Sequence, residues 1–425
     1  MNYYSTKNKE LRKSFREAVK EGLPSDNGLF MPERIPQLPK GYFENIQNKN
    51  IHEVAFDVLK PFVEGDLKDD QLKSIIWKTF TFDFPVRKIK DNNYALELFH
   101  GSSFAFKDVG ATFLALCLEE FYKDKKDKCT ILVATSGDTG GAVAAAFSKV
   151  KNIEVVILYP SGKVSELQEK QLTTFDENVK ALEIEGDFDE CQQLVKQAFL
   201  DADLRNQLNI SSANSINVAR FLPQMVYYFA PFIEFGKEPL TISVPSGNYG
   251  NLTAGLIAQK MGLPVKQFIA GANRNDVVPR YLDSGQYEPK ATIPTISNAM
   301  DVGNPSNFQR MMDLFSEQEL KEKVKGFAFS DSATLEAMKK VYAENGYLLD
   351  PHGAVGYLAL AEFMKTSEGK GVVLETAHPC KFMNVVKDVT DENILPDSVQ
   401  ALMQKEKKSV KLKVDYQEFK KFLLK

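Results

Sequence analysis

One lysine of this 425-residue chain sits where an amine could be made reactive. Lys107 stands in HGSSFAFKDVG, running from His100 to Gly110, after Phe104, Ala105 and Phe106 and before an apolar-rich stretch from Val109 to Leu118. An ammonium in apolar surroundings loses hydration, so its charged form is disfavoured and the free amine, a nucleophile able to form Schiff bases, is reached closer to neutral pH. The same side chain could instead snorkel past the two phenylalanines or pair with Asp108. The choice depends on what the rest of the chain places beside it.

Two turns offer seats for anions. Thr135-Ser136-Gly137-Asp138-Thr139-Gly140-Gly141 follows an apolar run and opens an alanine-rich stretch of helical character. Pro245-Ser246-Gly247-Asn248-Tyr249-Gly250-Asn251 follows another. Unpaired first-turn N–H groups and the helix dipole make such turns favourable for a carboxylate or phosphate, although Ser, Thr and Gly also serve as plain helix caps. Neither turn ends in the Gly-Lys-Ser/Thr of a nucleotide-phosphate loop, and neither has the three-glycine dinucleotide spacing, so a smaller phosphorylated molecule is indicated.

A third segment, Ser211 to Arg220, brings Asn214 and Ser215 to a helix start with Arg220 about one turn inside; its planar fork suits a bidentate anion or a surface ion pair. A buried run, Val372 to Glu375, delivers the hydroxyl of Thr376 at a strand end, within Thr376-Ala-His378-Pro-Cys-Lys-Phe382. His352 and His378 read as hydrogen-bonded structural residues.

These groups need elements to position them. Apolar runs predict strands over 130–134, 154–159, 179–184, 208–211, 240–244 and 267–270, alternating with helices over 141–150, 164–173, 188–200, 218–235 and 252–261. That alternation predicts an α/β protein with two open, twisted, mostly parallel sheet domains flanked by helices. We expect an N-terminal region over 1–98, with helices at 10–21 and 51–59 and a turn-rich stretch at 25–36. A smaller α/β domain follows over 99–236, and a larger, discontinuous one over 237–425. The lysine-rich stretch 405–413 reads as a solvated face or tail.

Composition limits the partners. At 43% hydrophobic and 26% charged the chain can form two or three cored domains, and a net charge of −4 with interspersed signs leaves no basic face for nucleic acid or a membrane surface. Four widely spaced cysteines without a Cys-x-x-Cys pair, and only four histidines, argue against disulfides and against any metal. No run approaches the ~18 apolar residues of a membrane span, and no apolar leader opens the chain, so the expectation is a soluble cytoplasmic protein with a small-molecule substrate. Nothing in the sequence requires more than a monomer.

A lysine in apolar surroundings with separate phosphate seats is what a pyridoxal-phosphate enzyme acting on a phosphorylated substrate needs. The blocks GLPSDNGLFMP, HGSSFAFKDVG, ATSGDTGGA, LYPSGKVSELQEKQL, NSINVARFLPQMVYYF, VPSGNYGN, NAMDVGNPSNFQR, DPHGAVGY and TAHPCKF occur in this order from Gly22 to Phe382. Together they resemble the threonine synthase family, within the fold type II pyridoxal-phosphate enzymes, and the long N-terminal region resembles its bacterial and fungal branch.

The resemblance implies that Lys107 holds pyridoxal 5'-phosphate as a Schiff base and shuttles protons. It implies that Gly247, Asn248, Tyr249, Gly250 and Asn251 cradle the cofactor phosphate, and that Thr376 faces the pyridine nitrogen, where a neutral hydroxyl does not require that nitrogen to be protonated. Ser136, Gly137, Asp138 and Thr139 would seat the substrate carboxylate, and Asn214, Ser215 and Arg220 the substrate phosphate. The implied substrate is O-phospho-L-homoserine, converted with water to L-threonine and phosphate by γ-elimination and β-addition. A phospho-lyase of the same fold, releasing 2-oxobutyrate and ammonia, and a noncatalytic cofactor carrier are the alternatives. Many relatives in the superfamily carry Asn where this chain has Asp138; an ionised aspartate cannot donate to the cofactor's phenolic oxygen, so it points elsewhere or shares a proton.

Overall fold

Strands of three to eight residues assemble into three sheets. The structure, a computed structural model, describes residues 1–123, 128–148, 150–175 and 178–425. At the N-terminus β1 (Asn2–Ser5), β2 (Arg12–Ser14) and β3 (Phe30–Pro32) form a small antiparallel sheet in the order β2-β1-β3. Strands β4 (Val86–Lys90) and β5 (Asn93–Glu97) follow. Next come β6 (Cys129–Ala134), β7 (Ile153–Pro160), β8 (Val179–Ile184) and β9 (Asn209–Ser212). The remaining strands are β10 (Leu240–Pro245), β11 (Val265–Ala272), β12 (Val324–Ala328), β13 (Lys370–Glu375) and β14 (Val410–Leu412).

The five-stranded sheet has the order β14-β8-β7-β6-β9 and is parallel throughout. The six-stranded sheet has the order β12-β11-β10-β13-β5-β4, parallel except for β4, which runs antiparallel to β5. Every residue of β6 and of β10 is buried, as expected of parallel strands covered by helices on both faces.

This topology fixes where a ligand can lie. In the five-stranded sheet β6 sits between β7 and β9, and in the six-stranded sheet β10 sits between β11 and β13, so each sheet reverses its winding beside the strand that precedes a glycine-rich turn. Ligands of open parallel sheets collect outside the carboxyl ends of strands at such points. The turns after β6 and β9 and those after β10 and β13 therefore open at the two switch points.

The helix Lys107–Tyr122 starts in the same region. Its approach is tied to the six-stranded sheet by a bridge between Ala105 and Ala377 and by the Phe106 N–H, which donates to the Thr376 carbonyl at 2.8 Å. One turn along, Gly110 lets this helix lie against the helix Val218–Phe221: a Cβ there would come within 2.4 Å of the Arg220 carbonyl oxygen.

Three local expectations change. Residues 10–21 are not one helix, because Arg12–Ser14 pairs with β1 and the helix Phe15–Glu21 starts at a capping box between Ser14 and Glu17. The expected helix over 218–235 breaks into the helix Val218–Phe221, a 3₁₀ segment Leu222–Phe229 and the helix Ala230–Phe235. Pro223 and Pro231 lie near the starts of the last two, and neither ring can donate to a preceding carbonyl. The lysine-rich stretch is not only a solvated tail: Val410–Leu412 adds an edge strand to β8, and Lys407 bonds Glu169 at 2.6 Å and Glu183 at 2.7 Å.

Gly110→Ala tests the helix contact. Alanine gains up to ~1 kcal/mol in helix propensity, but overpacking against a backbone carbonyl costs about 1–3 kcal/mol. We expect a net loss of stability in urea unfolding; a stabilised variant would show that the two helices can separate without cost.

Candidate active site

The loops from the two switch points line one cleft. Lys107, Ser136, Asp138, Thr139, Asn214, Ser215, Arg220, Gly247, Asn248, Tyr249, Gly250, Asn251 and Thr376 all contribute to its wall. Gly137 does not. Its φ of 130° turns the chain into the helix Asp138–Phe147, and a Cβ there would lie 2.4 Å from the side chain of Gln168, so it shapes the loop from behind. The Thr135 hydroxyl oxygen accepts the N–H groups of Gly137 and Gly140, both at 2.9 Å, which folds the turn.

Lys107 is the first residue of its helix, with its ammonium 3.5 Å from the Asp138 carboxylate. Burial lowers its pKa below that of an ordinary lysine; Asp138 opposes the shift, while Lys381 and Arg220 add to it. Asp138 is itself buried, a condition that alone would raise its pKa, but the cations of Lys381 and Lys107 outweigh burial and hold it well below the usual carboxylate range. Its Oδ1 accepts from Lys381 at 2.9 Å and from Gln168 at 3.0 Å. The side chain is thus an ionised acceptor that points at two lysine side chains.

The turn after β10 is built for close approach. Tyr249 occupies the left-handed region at φ 59° and precedes the helix Gly250–Lys260, and Phe104, in the loop before Lys107, is also left-handed at φ 58°. Bulky residues in that region cost ~1–3 kcal/mol each and mark functional sites. Asn251 spends its side chain on the loop itself, donating to the Pro245 carbonyl at 2.9 Å and accepting from Leu252 N–H at 2.9 Å. Asn248 Oδ1 accepts from Ser306 N–H at 3.2 Å.

On the opposite side Asn214 Nδ2 donates to the Ala134 carbonyl at 3.0 Å, and Ser215 Oγ accepts from Asn307 at 3.1 Å. Arg220 is buried; its Nη1 donates to the Ala213 carbonyl and its Nε has no partner, and burial depresses its pKa to about 10. Behind Ser215 lies Arg310, fully buried, which donates to the carbonyls of Ser215 at 2.9 Å, Ile216 at 2.7 Å and Phe30 at 3.2 Å, with its guanidinium 4.2 Å from the Phe221 ring centroid. One side chain thereby joins the N-terminal sheet, the turn after β9 and the segment 304–310.

His352 also lines the cleft; it is hydrogen-bonded, as read from the sequence, with Nδ1 2.7 Å from Asp350, and its Nε2 is buried without a partner. His378 does behave structurally, accepting the Cys380 N–H at 3.0 Å. Asp301, also in the wall, is pushed up to about 6 by burial although Thr295 and Asn273 donate to it. Sequence reasoning missed Lys381, Gln168, Arg310 and Asp301; Lys381 stood in TAHPCKF, five residues past the strand-end threonine, and Asp301 and Arg310 stood in NAMDVGNPSNFQR.

The donor set fits pyridoxal phosphate. It offers an amine with a lowered pKa, a helix N-terminus behind a left-handed turn, a strand-end hydroxyl, and the polar residues Tyr249, Arg220 and His352 around one cleft, each with a buried polar atom that has no partner in the protein. Among the described residues no His/Cys/Asp/Glu group is arranged to hold a metal, and no helix is long and apolar enough to cross a membrane.

Known proteins share this arrangement of sequence. Residues 87–376 match the family described as pyridoxal-phosphate dependent enzyme, residues 2–80 the threonine synthase N terminus and residues 353–423 the threonine synthase C-terminal region. A threonine synthase of Haemophilus influenzae is 44% identical, with all of this chain and all of the relative aligned. The crystal structure of threonine synthase from Escherichia coli superposes with a TM-score of 0.94 at 40% identity, covering 100% of this chain and 99% of the other. A pyridoxal-phosphate-bound threonine synthase structure from Brucella melitensis gives a TM-score of 0.93 at 34% identity, with 100% and 99% covered.

Asp108 offers a test of the electrostatics around the reactive helix. Burial raises its pKa to about 6 against the Ser103 N–H, Lys381 and Arg220, so the folded state binds this proton more tightly than the unfolded chain. Its contribution to stability is fully present below pH ~4 and is lost as pH rises through about 6, a change on the order of 3 kcal/mol. Relative to the parent, Asp108→Asn is therefore expected to gain stability between pH 4.5 and 7 in urea unfolding; a difference independent of pH would contradict the burial argument.

Proposed function

This chain belongs to the threonine synthase family of pyridoxal-phosphate-dependent enzymes, and from that membership we infer that it converts O-phospho-L-homoserine and water to L-threonine and phosphate. The reading is carried by one observation: a buried lysine with a lowered pKa opens the same cleft into which two helix-forming glycine-rich turns and a buried arginine point. The same inference gives it a single small-molecule substrate and a place of work in the cytoplasm.

Bound pyridoxal phosphate supplies the electron sink that lets protons leave the carbons next to the substrate amine. The chain's own groups have the remaining tasks. Lys107 would carry the cofactor on its amine and, when released, move protons at the substrate carbons, a role favoured by a pKa that burial lowers below that of an ordinary lysine. Backbone N–H groups of 247–251 would hold the cofactor phosphate at the start of the helix Gly250–Lys260, and the Thr376 hydroxyl would be the partner of the ring nitrogen. Ser136 and Thr139 hold the substrate carboxylate.

Asn214, Ser215 and Arg220 hold the phosphate that leaves. For Arg220 the support is its place: a buried guanidinium in the cleft wall, bonded to the Ala213 carbonyl and facing no carboxylate within ion-pair distance among the described residues, is a desolvated cation available to a phosphate.

Product analysis with O-phospho-L-homoserine tests the function, since threonine with phosphate is expected and 2-oxobutyrate with ammonia would assign the protein to the phospho-lyases. Lys107→Ala is expected to fold, to lose the visible absorbance of the covalently held cofactor, and to lose turnover. Arg220→Ala removes a charge-assisted pair of about 1.5–3 kcal/mol, so KM should rise roughly tenfold to a hundredfold. An unchanged KM would move the phosphate to another anchor.

A further inference from the structure

Lys381 carries no role in the reading above, yet it is the most completely buried charge beside the reactive amine. Its side chain is fully shielded from solvent, in the segment that follows β13 of the six-stranded sheet. Its three bonds go to other parts of the fold: the Ser103 carbonyl at 2.8 Å, Gln171 Oε1 at 2.9 Å and Asp138 Oδ1 at 2.9 Å. Asp138 and Gln171 belong to the helices that follow β6 and β7 of the five-stranded sheet. The ion pair therefore crosses between the two sheets, directly behind Lys107.

We propose that Lys381 is a positioning residue that occupies one oxygen of Asp138 and so sets how much of that carboxylate's charge Lys107 feels. Each ammonium takes a different oxygen: Lys381 approaches Oδ1 at 2.9 Å and Lys107 approaches Oδ2 at 3.5 Å. The shorter, better-buried pair belongs to Lys381, so Asp138 is neutralised mainly by the lysine that does no chemistry. Lys107 is left with a longer contact and remains easy to deprotonate. Without Lys381, a buried aspartate would have Lys107 as its nearest cation, and the reactive amine would be held as ammonium.

The other charged and titratable groups around these two side chains are Arg220, His352, Asp108 and Cys380. Arg220 adds to the effect of Lys381 on Lys107, and His352 acts on Asp138. A brace that merely held the loops would alter stability alone, whereas this arrangement links Lys381 to the proton affinity of another residue.

The consequence rests on Lys107 being the cofactor's amine, but the electrostatic claim can be read without cofactor. Competitive acylation of the cofactor-free protein with acetic anhydride across pH 6–10, with the Lys107 peptide quantified by mass spectrometry, gives the midpoint at which that amine loses its proton. Two variants are compared with the parent: Lys381→Met, and Gln171→Glu, which keeps Lys381 but supplies it with a second carboxylate. In each variant that unfolds cooperatively, the Lys107 midpoint is expected to rise by about one unit, a roughly tenfold lower labelling rate at pH 8. An unchanged or lowered midpoint in a folded variant overturns the proposal. If the midpoints rise while the parent never binds pyridoxal phosphate covalently, the electrostatic claim stands and the catalytic reading of Lys107 falls.

Discussion

A charge taken out of water must be paid for by a partner or neutralised, and the interior beside Lys107 is organised around that constraint. Moving an ammonium from water into a protein interior costs several kcal/mol even after relaxation, enough to leave a buried lysine unprotonated when no anion is near. Here one carboxylate, Asp138, faces two ammonium groups, 2.9 Å from Lys381 and 3.5 Å from Lys107. One anion cannot fully compensate two cations, so the more loosely held one is the easier to deprotonate. A surface lysine would have stayed charged; a lone buried one would have had no charged state to return to when it must give a proton back.

The backbone makes this possible by bringing both sheets to the same place. Asp138 comes from the turn after β6, Lys381 from beyond β13, and Lys107 from a loop fastened to Thr376 by a backbone hydrogen bond of 2.8 Å. Each is delivered at the carboxyl end of a strand or just past it, where a parallel sheet exposes helix N-termini. The same rule places Tyr249 and Arg220, which explains why groups more than a hundred residues apart converge without any long-range motif in the sequence. The left-handed conformations of Phe104 and Tyr249 lie on either side of this convergence, and only a well-packed surround keeps such backbone in place.

How much of this could be read in advance follows from the range of each interaction. Period-two and period-3.6 apolar patterns are local, so the strands from Cys129 to Ala272 and the helix Phe188–Leu200 were legible. So were the turns, because glycine beside hydroxyl residues at a strand-to-helix junction has a local chemical meaning. What was not legible depended on pairing. Val410–Leu412 is a strand only because β8 offers it an edge, and Arg12–Ser14 only because β1 does. Lys381 and Arg310 look like ordinary surface cations until the fold buries them against carbonyls and, for Lys381, Asp138. His352 is hydrogen-bonded as read, to Asp350 two residues away, but its place in the cleft wall depends on the fold and was not legible.

Arg310 extends the argument to the ligands. Its guanidinium is fully buried, and its bonds go to carbonyl oxygens and to Asn307 rather than to an acid, so burial pulls its pKa down to about 9. With Arg220 and Lys381 it places three buried cations around the cleft against the ionised Asp138, while burial raises the pKa of Glu375 well above the usual carboxylate range and holds Asp108 and Asp301 at about 6. A folded protein tolerates such an excess only at a cost in stability. Two phosphate groups arriving in the cleft would reverse it, since each brings close to two negative charges into a low-dielectric space lined by desolvated donors. On the proposed reading, stability given up by the unliganded chain would become affinity for phosphorylated molecules, and a neutral analogue of either ligand would gain little from the same residues.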